Sequence, residues 1–557
     1  TVARHIANFV SNDLKVDTLF SVTGGGAMFL NDAFGNHETL KVIYNHHEQA
    51  SAMAAVGYAK AKEDYGVACV TTGCGCTNAI TGLLDAWQDN VSVVFISGQV
   101  KVRDTTCGTG IKVRQIGVQE ANIIEIVKSI TKYAVMLDDP KKIRYELEKA
   151  SWLAKNGRPG PVWIDVPQDI QGAPVNWDEL DPFRQSSVVE SSAPIDFDLV
   201  QSLISESERP IVIAGNGIRL ANQRPQFRAF VERLSLPVAF SYLSIDLLPS
   251  DHPLAIGRLG TKGDRAGNFA VQNSDLVIVL GCRLSVPLTG FEYDKFARHA
   301  KIVVVDIDQA EHQKGTVRID HFIYADLRDF FDSEKLTRTN DSDVWHTACK
   351  RWKKNWPVYQ QNYASDELIN MYEFIDALRV AAPDNTHVVS DAGSAYYVTS
   401  QALQIREGQR YHTSGAQADM GFTLPAAIGV AAANSNVLVV GITGDGSFQM
   451  NVQELQVLKH HNFNLKLVIW NNAGYLSIKT TQRKFFDDRF AGTGDSSGLS
   501  FPDSGEIAKA YGIQFHRFRD STKLRNKLPS ILSTHGPCVV EILCPEFQEV
   551  IPNVSAL

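Results

Sequence analysis

Val437-Leu438-Val439-Val440-Gly441-Ile442 leads through Thr443 into Gly444-Asp445-Gly446-Ser447, and Leu465-Lys466-Leu467-Val468-Ile469-Trp470 leads into Asn471-Asn472. The pattern predicts a strand over Val437 to Ile442, a Gly-rich turn, a helix over about Phe448 to His460 and a strand over Leu465 to Trp470. In an open parallel sheet, ligands sit beyond the carboxyl ends of the strands, where Asp445 and Asn472 fall. A carboxylate and an amide oxygen are hard ligands suited to Mg²⁺, which keeps octahedral oxygen coordination and shares it with phosphate. Glycines beside them let backbone N–H groups approach the anion. The stretch therefore reads as a divalent cation holding a diphosphate. An ordinary βα turn is the alternative for Gly-Asp-Gly alone, and the Asn pair weighs against it.

Outward from this stretch the chain keeps alternating strand and helix patterns, which places it in the α/β class with parallel sheets. An early section has strands at Val67 to Thr71 and Val91 to Ser97 and a helical run from Glu48 to Lys62. A Pro- and acid-rich segment, about Gly172 to Pro194, reads as a linker. A middle section carries strands at Ile211 to Ala214, Leu276 to Leu280 and Ile302 to Val305. A polar stretch near Thr337 to Asp343 leads into the last section.

Composition narrows the function. A chain of 557 residues, 44% hydrophobic, can bury several cores. A net charge of −8, a pI near 6.0 and the absence of a basic tract argue against nucleic acid as a partner. The apolar runs are strand-length, which argues against a membrane span. Arg4, Asp13, Lys15 and Asp17 interrupt any signal-peptide pattern in the first twenty residues. Eight scattered cysteines, with Cys74-Gly75-Cys76 lacking a second pair at zinc spacing, suggest reduced thiols and a cytoplasmic protein.

Four blocks in one order carry a resemblance. They are His47-Glu48-Gln49-Ala50 with Ala55-Val56-Gly57-Tyr58-Ala59, Gly157 to Val162 running into Asp165 to Asp169, Met420-Gly421-Phe422-Thr423-Leu424-Pro425-Ala426-Ala427, and the Gly-Asp-Gly…Asn-Asn stretch. Together they resemble the acetolactate synthase group of thiamine diphosphate (ThDP) enzymes over nearly the whole chain. The resemblance implies three consecutive doubly wound parallel-sheet domains: a pyrimidine-binding domain over 1–175, a central nucleotide-binding-like domain over 190–340, and a diphosphate-binding domain over 360–557. It also implies a homodimer or homotetramer whose active site lies between subunits.

The same resemblance assigns roles. Glu48 matches the carboxylate that hydrogen-bonds the aminopyrimidine and so activates the cofactor; by itself it would read as a solvated helix-start residue. Gln119 matches a glutamine facing the reacting carbon, and Gly25, within Gly24-Gly25-Gly26, the turn beside the thiazolium. Met420 matches the bulky side chain that bends the cofactor. Gly393, Ser394, Ala418, Gly446, Ser447 and Tyr475 fall at further cofactor contacts, and Asp445, Asn472 and the Gly474 carbonyl at the Mg²⁺ ligands. In the middle section Gly215, Gly217, Gly260, Gly263, Gly281, Arg283, Asp306 and Asp326 match the segments that hold a structural FAD in the flavin-containing branch. A vestigial nucleotide fold without ligand is the other reading.

The sequence departs from the family at three places. Ser394-Ala395 stands where Gln-His is common, which puts the diphosphate contacts of that loop in doubt. Pro287 stands where an arginine holds the second 2-oxo acid, and Thr481 where a tryptophan shapes its pocket. Losing a guanidinium removes a bidentate carboxylate clamp. These changes leave the pyruvate half intact and point to a carboligase that transfers a two-carbon unit to an aldehyde or ketone. The resemblance extends to enzymes that make branched-chain sugars such as yersiniose from nucleotide-linked keto-sugars. Acetolactate synthase proper and 2-oxo acid decarboxylation or C–C lysis are the alternatives. Lys479, Arg483 and Lys484 would suit a phosphate or a solvated helix face.

Overall fold

The computed structural model describes residues 1–185, 194–331, 336–338, 343–363 and 367–554. Parts of both expected linkers, within 172–194 and 337–343, lie outside the described residues.

Three six-stranded sheets follow one another, all their pairings parallel. The first runs across the sheet in the order Lys41–Tyr44, Thr18–Ser21, Gly66–Val70, Val93–Gln99, Val162–Pro167, Tyr133–Met136. The third repeats that order with Arg410–Thr413, Thr386–Ser390, Leu438–Gly444, Leu465–Asn471, Cys538–Leu543, Gln514–Phe518. The middle sheet runs His321–Tyr324, Lys301–Asp306, Leu276–Leu280, Pro210–Ala214, Val238–Phe240, Ala255–Arg258. With helices packed on these sheets the chain is three α/β domains, as the alternation predicts.

Each sheet reverses its strand order beside its first strand, and ligands bind in the crevice that such a reversal opens; the first and third sheets also exchange the places of their last two strands. In the first sheet the crevice lies between Thr18–Ser21 and Gly66–Val70, in the middle sheet between Pro210–Ala214 and Leu276–Leu280, and in the third between Thr386–Ser390 and Leu438–Gly444. The segments beyond these strands carry Gly24 to Gly26, Gly215 with Gly281, and Gly393 with Asp445.

Alternation of side chains along the third sheet puts its two faces into different cores. Val389, Val439, Leu467 and Ile469 belong to one continuous with the first domain, and Val388, Val440, Val468 and Trp470 to one continuous with the middle domain. The first core is sealed where the Glu48–Lys62 helix crosses the Thr423–Ala433 helix. A Cβ on Gly57 would stand 2.3 Å from the Ala426 carbonyl oxygen, and one on Gly429 would stand 2.0 Å from that of Ala54. Glycine within a helix costs about 1 kcal/mol relative to alanine; here it lets two backbones touch. No helix among the described residues is long and apolar enough to cross a membrane.

Candidate active site

The Leu438–Gly444 strand ends and a helix begins at Asp445 itself, earlier than the expected Phe448. That helix stops at Gln449, and a second one, Leu455–His461, follows. The break has a polar cause: the Asn451 amide donates to the Gly421 carbonyl at 2.9 Å and to Gln49 Oε1 at 3.1 Å, linking two domains. Asp445 is buried; its Oδ1 accepts the Gly446 N–H at 2.8 Å and its Oδ2 the Gly474 N–H at 3.0 Å. Burial pushes its carboxyl up to about 6, against the pull of those N–H donors.

Asn472, at the end of the neighbouring strand, is 7% exposed, and its Oδ1 is buried with no hydrogen-bond partner. An orphaned acceptor costs about 1–3 kcal/mol, and a cation bound there would remove the cost. Ala473 and Gly474 follow with φ of +58° and +139°, and a Cβ on Gly474 would lie 2.0 Å from the Thr493 carbonyl oxygen. One carboxylate, one unpaired amide oxygen and one main-chain carbonyl fit Mg²⁺. Among the described residues no cluster of three or more His, Cys, Asp or Glu side chains forms a metal site; this donor set is of another kind.

The surrounding groups have defined partners. Ser447 Oγ donates to Asp391 Oδ2 at 2.6 Å and accepts the Gly421 N–H at 2.7 Å. Asp391, fully buried, also accepts from Thr443 Oγ1 at 2.8 Å and has its carboxyl raised by burial. Its signal in the sequence is an acidic residue directly after a strand and two before Gly393, which composition and motif alone do not single out. Gly393 has φ +56° and opens the Gly393–Ala402 helix; Ser394, next to it, is half-buried. A helix N-terminus favours phosphate. A Cβ on Gly446 would fall 2.0 Å from the Tyr475 ring.

Ala418, at φ +55°, and half-buried Met420 sit on a loop held from the first domain. Asp89 accepts the Gly415 and Ala416 N–H groups at 2.8 and 2.9 Å, and Lys60 donates to Asp89 at 2.7 Å and to the Thr413 carbonyl at 2.7 Å. This Lys60–Asp89 anchor is invisible in the sequence, because the segments it joins are far apart in the chain.

Glu48 is the first residue of its helix, capped by His47, whose Nδ1 accepts the Gln49 N–H at 3.1 Å. It is 9% exposed, not a solvated helix-start residue, and its Oε2 accepts from Asn78 Nδ2 at 2.9 Å. The residues around it are tied to the third domain: fully buried Glu454 accepts from Asn45 Nδ2 at 2.8 Å and from the His46 N–H at 3.0 Å. Glu48's own hydrogen bond comes from the first domain, and none joins it to the Asp445 turn. Gly25 has open space where a Cβ would be, whereas one on Gly24 would overlap Thr71. Gln119, at φ +64°, is exposed in a segment with Ile111, Val113, Ile116 and Val118, the last 82% exposed.

A cavity of about 910 Å³ opens where the three domains meet. Gly217, Gly281, Arg283, Asp306 and Asp326 line it, as does Pro287; Gly215, Gly260 and Gly263 do not. Those three are accounted for by packing: a Cβ would stand 2.0 Å from the Gly281 carbonyl oxygen at Gly215, 2.6 Å from Tyr242 Oη at Gly260, and 2.3 Å from the Arg258 carbonyl oxygen at Gly263. The wall also carries charges that the sequence did not reveal. Arg410 pairs with Glu63 and Asp246, both at 2.9 Å, and Arg158 pairs with Asp308 and Glu311 at 2.7 and 2.9 Å. Tyr242 Oη is buried on it without a hydrogen-bond partner, and Arg219 Nε lies 3.4 Å from Glu63 Oε1. The size and the polar, charged lining fit a polar ligand as large as a dinucleotide.

Lys479 corrects an expectation. It is 4% exposed and points under the Asn472 turn, donating to the Ala473 carbonyl at 2.9 Å, so it is not placed to meet a phosphate. Arg483 and Lys484 are exposed; Arg483 lies over the Phe547 ring and pairs with Asp488 at 2.8 Å.

Comparison with known proteins finds three family matches along the chain. They are the N-terminal TPP binding domain of thiamine pyrophosphate enzymes over residues 1–126, the central domain over 198–333, and the C-terminal TPP binding domain over 391–542. The acetolactate synthase large subunit of Cyanidium caldarium is 31% identical over 97% of this chain and 93% of its own length. That of Lactococcus lactis is 32% identical over 98% and 92%, and the chloroplastic acetolactate synthase of Arabidopsis thaliana 32% over 97% and 81%.

Proposed function

Since this chain belongs to the acetolactate synthase-like family of thiamine diphosphate enzymes, we propose that it is a carboligase. It takes pyruvate, releases CO₂ and joins the remaining two-carbon unit to an aldehyde or ketone, such as a nucleotide-linked keto-sugar. The carbonyl oxygen of the acceptor takes up one proton as the new C–C bond forms, and the C–C bond to the pyruvate carboxylate breaks. Bound thiamine diphosphate supplies the thiazolium carbon that adds to a 2-oxo acid and the electron sink that makes loss of CO₂ feasible.

The observation that carries the cofactor assignment is the unpaired Asn472 Oδ1 beside Asp445. With the Gly474 carbonyl they would hold Mg²⁺ and, through it, the diphosphate. Gly393 and Ser394 would meet the phosphates from the start of their helix, and Met420 would support the bent cofactor. Glu48, buried and steadied by Asn78, would exchange a hydrogen bond with the aminopyrimidine and hold the proton whose movement activates it. Thiamine diphosphate enzymes commonly place the active site between subunits, which favours a homodimer, or a homotetramer built from it, in which Glu48 and Gln119 serve the partner's diphosphate domain. The exposed apolar run around Val118 supports this, because such surface is otherwise left in water.

The 910 Å³ cavity is assigned to FAD in a structural role. The acceptor assignment rests on Pro287 and Thr481, which offer neither a guanidinium for a second carboxylate nor an indole to close the pocket. The relatives' names favour one second reading, acetolactate synthase proper, in which another pyruvate is the acceptor. Incubation with pyruvate alone and with a panel of nucleotide-linked keto-sugars, scored by mass spectrometry, separates the two. A two-carbon adduct of one sugar supports the proposal; efficient acetolactate formation overturns it.

A further inference from the structure

Buried lysines are rare unless something inside the protein needs their charge or their donors. Lys479 lies on the Leu476–Phe486 helix, yet its side chain turns inward, 4% exposed, and ends under the turn that carries Asn472 and Gly474. Its Nζ donates to the Ala473 carbonyl at 2.9 Å and is paired with Glu546 from the C-terminal segment. Ala473 is a non-glycine residue at φ +58°, in the sparsely populated left-handed region that persists only where the surroundings hold it. The N–H of Gly474 is fixed from the other side by Asp445. The stem of Lys479 also fills the space beside the glycines: a Cβ on Gly474 or Gly494 would lie 3.1 or 3.2 Å from its Cε.

We propose that Lys479 is a positioning residue for the metal turn: by holding the Ala473 carbonyl it keeps the left-handed backbone that aims Asn472 Oδ1 and the Gly474 carbonyl at one cation. Groups that orient metal ligands in this way change metal affinity by about 10–100-fold when removed. The inference rests on the reading of Asp445, Asn472 and Gly474 as Mg²⁺ ligands, and its test separates the two. The role belongs to the backbone tether and not to the ion pair, so Glu546→Gln, which leaves Nζ free to donate to Ala473, is the matched control.

The experiment titrates Mg²⁺ into the full-length protein with thiamine diphosphate present, by calorimetry, and measures hydrogen exchange of the Gly474 and Tyr475 amides in the cofactor-free protein. Lys479→Met is expected to weaken Mg²⁺ by about 10–100-fold and to speed exchange at both amides, with Glu546→Gln close to the parent in both. Lys479→Gln keeps a donor on a shorter stem; it carries the test if the Met variant does not fold, with a smaller deficit in the same direction. A folded Lys479 variant with parental Mg²⁺ affinity and parental exchange overturns the proposal, as does an equal deficit in Glu546→Gln. A parent that shows no Mg²⁺-dependent binding removes the cofactor assignment instead, and the exchange measurement alone then decides whether Lys479 holds the turn.

Discussion

The Gly474 N–H donates to Asp445 Oδ2 at 3.0 Å, tying the turn beyond one strand to the first helical residue beyond its neighbour. The bond orients the carboxylate while Asn472 Oδ1, two residues upstream, remains unpaired. Asp445→Asn keeps an oxygen for the Gly474 N–H and removes the charge. The variant should fold, and its Mg²⁺-dependent binding of thiamine diphosphate should weaken by on the order of 100-fold or more. Calorimetric titration checks this, and an unchanged affinity removes Asp445 from the ligand set.

Glu48→Gln leaves an acceptor for Asn78 Nδ2 and the helix start intact. What it removes is the ability to hold and release a proton. Turnover of pyruvate should fall by about 10²–10⁴ while cofactor binding stays measurable. Near-parental turnover would show that another group carries the proton.

The strand ends explain why so much of the site was legible in the sequence. Asp445, Asn472 and Gly393 follow strands whose apolar runs are unmistakable, and ligand-bearing turns at those ends are a property of parallel sheets. Glu48 was visible for a different reason, the order of blocks around it, since a lone glutamate at a helix start says little. What stayed hidden depends on pairing between distant segments. Asp89 holds the Met420 loop, Glu454 holds the start of the Glu48 helix, and Arg410 meets Glu63 across two domains. Lys479 was misread because a sequence shows a charged helix face but not which residue turns inward. Several glycines matched to a flavin are explained by tight packing alone, and a motif does not distinguish these uses.

Asp165 gives the fold a pH dependence with a definite sign. It is 1% exposed, accepts from Ser97 Oγ at 2.6 Å and Gln99 Nε2 at 3.0 Å, and burial pushes its carboxyl up from 3.8 to about 7. The folded state therefore keeps a proton that the unfolded chain loses, so stability from this group falls as pH rises from about 4 to 7 and is lowest above that. Asp165→Asn is neutral at every pH and should flatten that part of the curve, by about a few kcal/mol at most. Urea denaturation from pH 5 to 8 tests this: parallel curves for parent and variant would mean that Asp165 does not titrate there.

Arg410 links the cavity to the fold. Its guanidinium meets Glu63 and Asp246 at 2.9 Å, and Asp246 is 1% exposed at the side chain. Removing one member of a buried ion pair costs about 3–5 kcal/mol. Arg410→Met should lower the urea midpoint, and its purified form should carry less flavin than a yellow parent, read from visible absorbance and from the supernatant after denaturation. A parent that releases no flavin removes FAD from the cavity, and a destabilised variant with full flavin content shows that the pair serves the fold alone.

Pro287 tests the choice of acceptor directly. It sits in the Val286–Thr289 helix on the cavity wall, and its carbonyl accepts the Thr261 N–H at 2.8 Å, a bond that any residue keeps. Pro287→Arg therefore adds a guanidinium without removing a main-chain contact. A hydrogen bond to a charged group contributes about 1.5–3 kcal/mol, so acetolactate formation from pyruvate alone should rise on the order of tenfold, at the expense of transfer to an aldehyde or ketone. Product ratios with pyruvate and an aldehyde in competition report the change. If the parent already prefers a second pyruvate and Pro287→Arg leaves the ratio untouched, the carboxylate is held by another group, and the absence of a cation at 287 says nothing about the acceptor.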